Sequence, residues 1–121
     1  MPHVEGGIMD RDIALARLGG DADLLKQLAV LFLADYPSVI SDLRAAMERG
    51  DVLCVERAAS ILKGSLNIFV ASAAIDAAAR VEFLVRAQKL TEVPAAVASL
   101  EEVLAALSVE LKGLNRETSP T

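Results

Sequence analysis

The sequence has no tryptophan, one cysteine, one histidine and only four other aromatic residues among its 121 positions. Each shortage removes something. The lone Cys54 excludes an internal disulfide and suits a reducing compartment. No metal-ligand cluster, Gly-rich phosphate loop or nucleophile–histidine pair is present, so no metal or cofactor is expected and an enzyme is the least expected class. With aromatics at 3% of the chain, the core must be aliphatic, built from Leu, Val, Ile and Ala, which favours packed helices over a sandwich of strands. Basic residues are outnumbered by acidic ones, 12 to 17, for a net charge of −5. An acidic surface repels phosphate backbones, so nucleic acid is not an expected partner, and anionic membranes exert no pull. No basic stretch followed by an apolar run opens the chain, as a signal peptide would. The longest apolar run, Leu28 to Ala34, falls far short of the ~20 residues that cross a bilayer. The expectation is a cytoplasmic protein, or a piece of one, with no membrane insertion.

What the chain does have is apolar residues, 54% of it, enough for one domain with one core. They recur at helical spacing. Asp10 can cap a short helix, Arg11 to Arg17, which stops at Gly19-Gly20. Asp21 caps a long stretch with apolar positions Leu24, Leu28, Leu31, Phe32, Val39, Leu43 and Met47. Pro37 inside it predicts a kink or a break into two helices. Gly50 ends that stretch and Asp51 caps the next, Val52 to about Phe69. Ser72 is the expected cap of a fourth helix, rich in alanine and running to about Lys89. Thr91 is the expected cap of a fifth, with Pro94 in its first turn. No segment alternates at period two, and there is no internal repeat. Short connections predict an all-α, up-and-down four-helix bundle with a short additional N-terminal helix. Residues 1–7, which include the single histidine, His3, form a lead-in; 8–115 form the bundle; 116–121 form a polar tail.

At about 100° per residue, the helix from Val52 to Phe69 divides into two sides. Val55, Ala58, Leu62, Ser65, Leu66 and Phe69 face the bundle. Leu53, Glu56, Arg57, Ser60, Lys63, Gly64 and Asn67 face outward. A glycine inside a helix costs roughly 1 kcal/mol relative to alanine. Gly64 lies away from the core, so the expected reason for keeping it is an outside object approaching Ser60. Cys54 is expected to be a buried or half-buried apolar residue without a reactive thiol.

The run Arg57-Ala58-Ala59-Ser60-Ile61-Leu62-Lys63-Gly64-Ser65 resembles the signature of histidine phosphotransfer (HPt) domains, roughly Ala-His-x-Leu-Lys-Gly-Ser. The upstream stretch LARLGGDADLLKQLAVLFLADYPSVISDLRAAMERGD and the downstream AAIDAAARVE are similar to other helices of that family. The likeness spans about Ile8 to Leu114. It implies a docking surface for the receiver domains of response regulators or hybrid histidine kinases, formed by the outward residues of the Ser60 face. It also implies that Lys63 meets the receiver's acidic pocket. Two positions depart from the pattern. Ser60 occupies the place of the phosphoryl-accepting histidine, and Asn67-Ile68-Phe69-Val70 stands where the family often has Gly-Asn-Phe-Gly.

The first departure decides the chemistry expected. A serine hydroxyl is a weak nucleophile without an adjacent base, and Glu56 is the only carboxylate one helical turn away. Phosphate on imidazole nitrogen retains transfer potential, whereas a serine ester would stall the relay. The expectation is a non-phosphorylatable relative of the HPt family that binds receiver or sensor-kinase domains. Two alternatives stand beside it. One is a phosphotransfer domain whose histidine was exchanged for serine, by engineering or by lineage loss. The other is a structural helical bundle used only for oligomerisation or as a linker module.

Overall fold

The computed structural model describes residues 8–116. The expected lead-in with His3 lies outside the described residues, as does nearly all of the expected tail. The order is α1 (Arg11–Arg17), α2 (Ala22–Arg49), α3 (Val52–Ile68), α4 (Ser72–Arg86), a 3-10 turn (Leu90–Glu92) and α5 (Val93–Arg116). The last helix takes in one residue of the expected tail.

Helices α2 to α5 form a closed ring in which α2 packs on α3, α3 on α4, α4 on α5 and α5 on α2, with α1 lying against α2. This is the up-and-down bundle, and the caps explain where its helices start. Asp10, Asp21 and Asp51 each accept from a backbone N–H three residues on, those of Ile13, Leu24 and Cys54 at 3.1, 3.0 and 3.2 Å. These bonds satisfy donors that a helix start leaves open. Gly50 adopts the left-handed conformation, φ 72°, and closes α2. The chain reverses across Gly50 and Asp51 alone, which holds α2 and α3 side by side.

Of the two outcomes open at Pro37 the break is excluded, and the expected caps of the last two helices change. α2 runs unbroken through Pro37, so it does not divide in two. Core residues before and after the proline, Phe32 and Leu43 among them, hold both halves against α3 and α5, and that packing outweighs the local cost. Ser72 is not the cap of α4. Ala71 holds that place without a side-chain hydrogen bond, and α4 stops at Arg86. Thr91 belongs to the 3-10 turn that leads into α5.

The core is aliphatic as expected, but isoleucine is missing from it; Ala, Leu and Val fill it, with Phe32 and Phe69. Small alanines on α4 (Ala74, Ala78) let the helices approach closely. Phe32 stacks on Tyr36 with ring centroids 5.1 Å apart, and meets Phe69 edge-on at 5.6 Å. Three of the four aromatics that the described residues contain therefore pin the end of α3 to the middle of α2. Arg44 on α2 and Glu101 on α5 form a two-pronged ion pair, at 2.7 and 2.5 Å. The Glu110 carboxylate on α5 accepts from the backbone N–H groups of Ile8 and Met9, at 2.5 and 3.1 Å, fastening the start of the described chain to the bundle.

Candidate functional site

The outward side of α3 is where periodicity places it. Leu53, Arg57, Ser60, Gly64 and Asn67 are exposed, and Glu56 and Lys63 are half-buried. On the inner side Val55, Ala58, Leu62, Leu66 and Phe69 are buried, joined by Ala59. Ser65 is the weakest of the inward set. It is half-buried and lines a groove between α2 and α3.

The two half-buried residues are tied to α4. Lys63 Nζ lies 2.6 Å from Glu82 Oε1, and Arg86 Nη2 lies 3.8 Å from the other oxygen of the same carboxylate. Arg86 also donates through Nε to Glu56. The bond to Glu56 raises the pKa of the Arg86 guanidinium above its ordinary value. Glu82 is 3% exposed. A carboxylate that deep needs cations close by, and the fold supplies Lys63 and Arg86. Lys63 is thus neither a solvated lysine nor a cation with no partner of its own, and Glu56 is held in place too.

Sequence reasoning missed Glu82 and Arg86, although a signal existed. Glu82 follows Ala74 and Ala78 at four-residue spacing and precedes Val85 by three, so it interrupts the buried stripe of α4. An acid in that stripe calls for a basic partner on a neighbouring helix.

Gly64 is open. A Cβ built there would meet nothing within 4 Å, so packing inside the bundle does not require a glycine. The same holds at Gly113 on α5, and openness alone does not name a partner. The face around Gly64 is less polar than its sequence suggests. Leu53 is 69% exposed, and Ile61 and Ile68 on the same helix are 53% and 38% exposed. At one end of the face, Cys54 is half-buried beside the capping Asp51. The carboxylate pushes the thiol pKa up, and contact with Cys54 holds the Asp51 carboxyl below its usual value. At the other end, the Asn67 carbonyl accepts from Arg17 at 3.2 Å, while α3 continues to Ile68. Among the described residues, no three His, Cys, Asp or Glu side chains gather as a metal site would require.

A closed ring of four helices, with a Leu-Lys-Gly-Ser run exposing its glycine in the second half of α3, is the arrangement the sequence resemblance implied. The family model described as Hpt domain matches residues 27–110, from the first turns of α2 to the last turns of α5. The chain belongs to the Hpt domain family. Neither the curated proteins nor the solved structures include a match to it. Membership makes the chain a phosphorelay-related module. Hpt domains are carriers in phosphotransfer rather than classical enzymes, and they interact with receiver domains of response regulators. Within an Hpt bundle, the second departure noted in the sequence has a physical meaning. Val70 adopts φ 49°, a left-handed conformation that is costly for a β-branched residue and free for glycine. A glycine, which the family often has here, would be free of that cost.

Proposed function

We propose that this chain is an Hpt-family binding and regulatory module that docks receiver or sensor-kinase domains through the Ser60 face of α3 and does not pass phosphate on. The observation that carries the reading is the state of Glu56. It is the carboxylate one turn before Ser60, and its oxygen is engaged by Arg86. An exposed hydroxyl with its nearest candidate base occupied is a poor phosphoryl acceptor near neutral pH. A phosphoserine, once made, is a stable ester that does not hand its group to an aspartate.

The docking role draws on the open backbone at Gly64 and on the exposed Leu53, Arg57, Ser60 and Asn67. Lys63 contributes to it only as the outer member of the Lys63–Glu82 pair. Arg57 is the exposed cation on this face, and the acidic pocket of a receiver is the surface it suits. A cytoplasmic setting accords with the unpaired Cys54 and with receivers as partners.

A phosphotransfer domain that exchanged its histidine for serine shares every one of these features, and one experiment separates the two readings. A receiver domain carrying radioactive phosphate is offered to the native chain and to Ser60→His. The native chain is expected to bind in calorimetry and take up no label. Rapid labelling of the Ser60→His variant would mark the face as relay-competent and favour the exchange; a correctly folded variant that stays unlabelled would mark it as diverged. Label that enters the native chain and leaves for a second receiver would refute the proposal.

A further inference from the structure

We propose that the docking surface extends from α3 onto α4, where Phe83 and Arg86 are specificity-determining contacts for the acidic surface of a receiver domain. The inference rests on the receiver-docking reading and names the part of the fold that completes that surface.

The first ground is area. α3 has 17 residues, so its outward side is a strip about 25 Å long and about 10 Å wide. That is well short of the about 800 Å² that each partner gives to a standard protein–protein interface. A body seated on Ser60 has to lie over a neighbouring helix as well, and the neighbours of α3 are α2 and α4.

The second ground is charge. On the α2 flank, Leu31, Ile61 and Ile68 line an apolar groove of about 400 Å³ whose walls also hold Asp35 and Asp42, both exposed. That flank suits apolar contact and repels an acidic pocket. On the α4 flank the cations lie outermost. The side chains of Arg86 and Lys63 are 65% and 37% exposed, whereas those of Glu56 and Glu82, which they hold, are 23% and 4% exposed. An approaching carboxylate meets Arg86 and Lys63 before it meets either acid, although the chain as a whole carries a net charge of −5. Such local complementarity selects partners and steers their approach.

The third ground is what stands beside those cations. Of the four Phe and Tyr residues, Phe32, Tyr36 and Phe69 pack on one another inside the fold, whereas Phe83 is 58% exposed. It precedes Arg86 by three residues, so the two adjoin on the surface of α4. Leu53 precedes Glu56 by three in the same way. The Glu56–Arg86 link therefore has an exposed apolar side chain beside it on each helix. Lys63–Glu82 and Glu56–Arg86 both cross from α3 to α4. They fix the outer surfaces of the two helices as one platform, which spares a partner the cost of ordering it. Aromatic residues and arginine are the types that anchor interfaces.

The test is calorimetry and stopped-flow binding of the full chain to a panel of receiver domains. Phe83→Ser is expected to weaken binding by about tenfold, mainly through faster dissociation, with helix content unchanged because Phe83 is already exposed. Arg86→Gln is expected to slow association and to flatten its dependence on salt, which a purely structural loss between α3 and α4 would not do. Arg86→Lys should restore the salt dependence. Ser60→Trp, a bulky group near the middle of α3, separates the two readings. If Ser60→Trp blocks receivers while Phe83→Ser and Arg86→Gln bind them as the native chain does, docking is confined to α3 and the extension onto α4 is overturned. If no receiver binds the native chain, the docking reading falls and the extension falls with it. A Phe83→Ser effect on self-association but not on receivers would assign Phe83 to a second copy and overturn the proposal.

Discussion

At the scale of single residues, the site turns on which charges are engaged. Lys63 belongs to a signature and reads as a docking cation, but its ammonium is 2.6 Å from a buried carboxylate. Removing it strands Glu82. Lys63→Ala should therefore lower unfolding free energy by about 2 kcal/mol, less than for a fully buried pair because Lys63 is partly exposed and Arg86 remains nearby. Lys63→Met combined with Glu82→Leu should recover most of that loss in denaturant titration. A double-variant loss equal to the sum of the two single-variant losses would mean that the pair is not coupled. Gly64 is the opposite case. Its backbone is helical and open, so Gly64→Ala should stabilise the chain by about 0.5–1 kcal/mol while weakening any partner that needs close approach there. A drop in melting temperature would show that the site tolerates no Cβ. The exposure of Ser60, Arg57 and Leu53 was legible in the sequence, because a helix has one period and one inner side. The engagement of Lys63 was not, because Glu82 comes from another helix.

At the scale of elements, the boundaries that carry side-chain caps were readable and the others were not. Asp10, Asp21 and Asp51 announce α1, α2 and α3 because an aspartate before an apolar-periodic run bonds its own helix start. α4 begins after Ala71 with no such bond, and Ser72, the nearest capping residue, is one position too late. The junction before it holds Val70 in the left-handed region. Val70→Gly and Val70→Ala both remove the half-buried side chain, but only glycine relieves the backbone. The glycine variant should be the more stable of the two by about 1 kcal/mol; equal stabilities would mean that the junction is not strained. Pro37 shows the converse limit. Local chemistry allows a kink or a break, and tertiary packing on both sides of the proline keeps α2 a single helix.

At the scale of the whole molecule, carboxylates joined to other helices or to helix starts set the response to acid. Glu101 is held below its ordinary pKa chiefly by its hydrogen bond to Arg44, and Asp51 is lowered by its contact with Cys54. A group whose pKa is lowered by folding contributes stability that is fully present above its unfolded value and lost as pH falls through its folded value. The melting temperature should therefore hold near neutral pH and decline below about pH 5, where unfolded carboxyls begin to take up protons. Glu101→Gln should make that decline shallower; an unchanged slope would remove the α2–α5 pair from the account. By itself the sequence determined the helices, the inward and outward sides of α3, the bundle class and the place of Ser60, because these follow from period, caps and short connections within one stretch of chain. Only the tertiary structure decided that Lys63 is held by Glu82, that Glu56 is occupied by Arg86, and that apolar residues of α2 and α3 meet in one uncovered groove. Those facts depend on which side chains from separate helices come within a few ångströms, and helix periodicity carries no information about its neighbour.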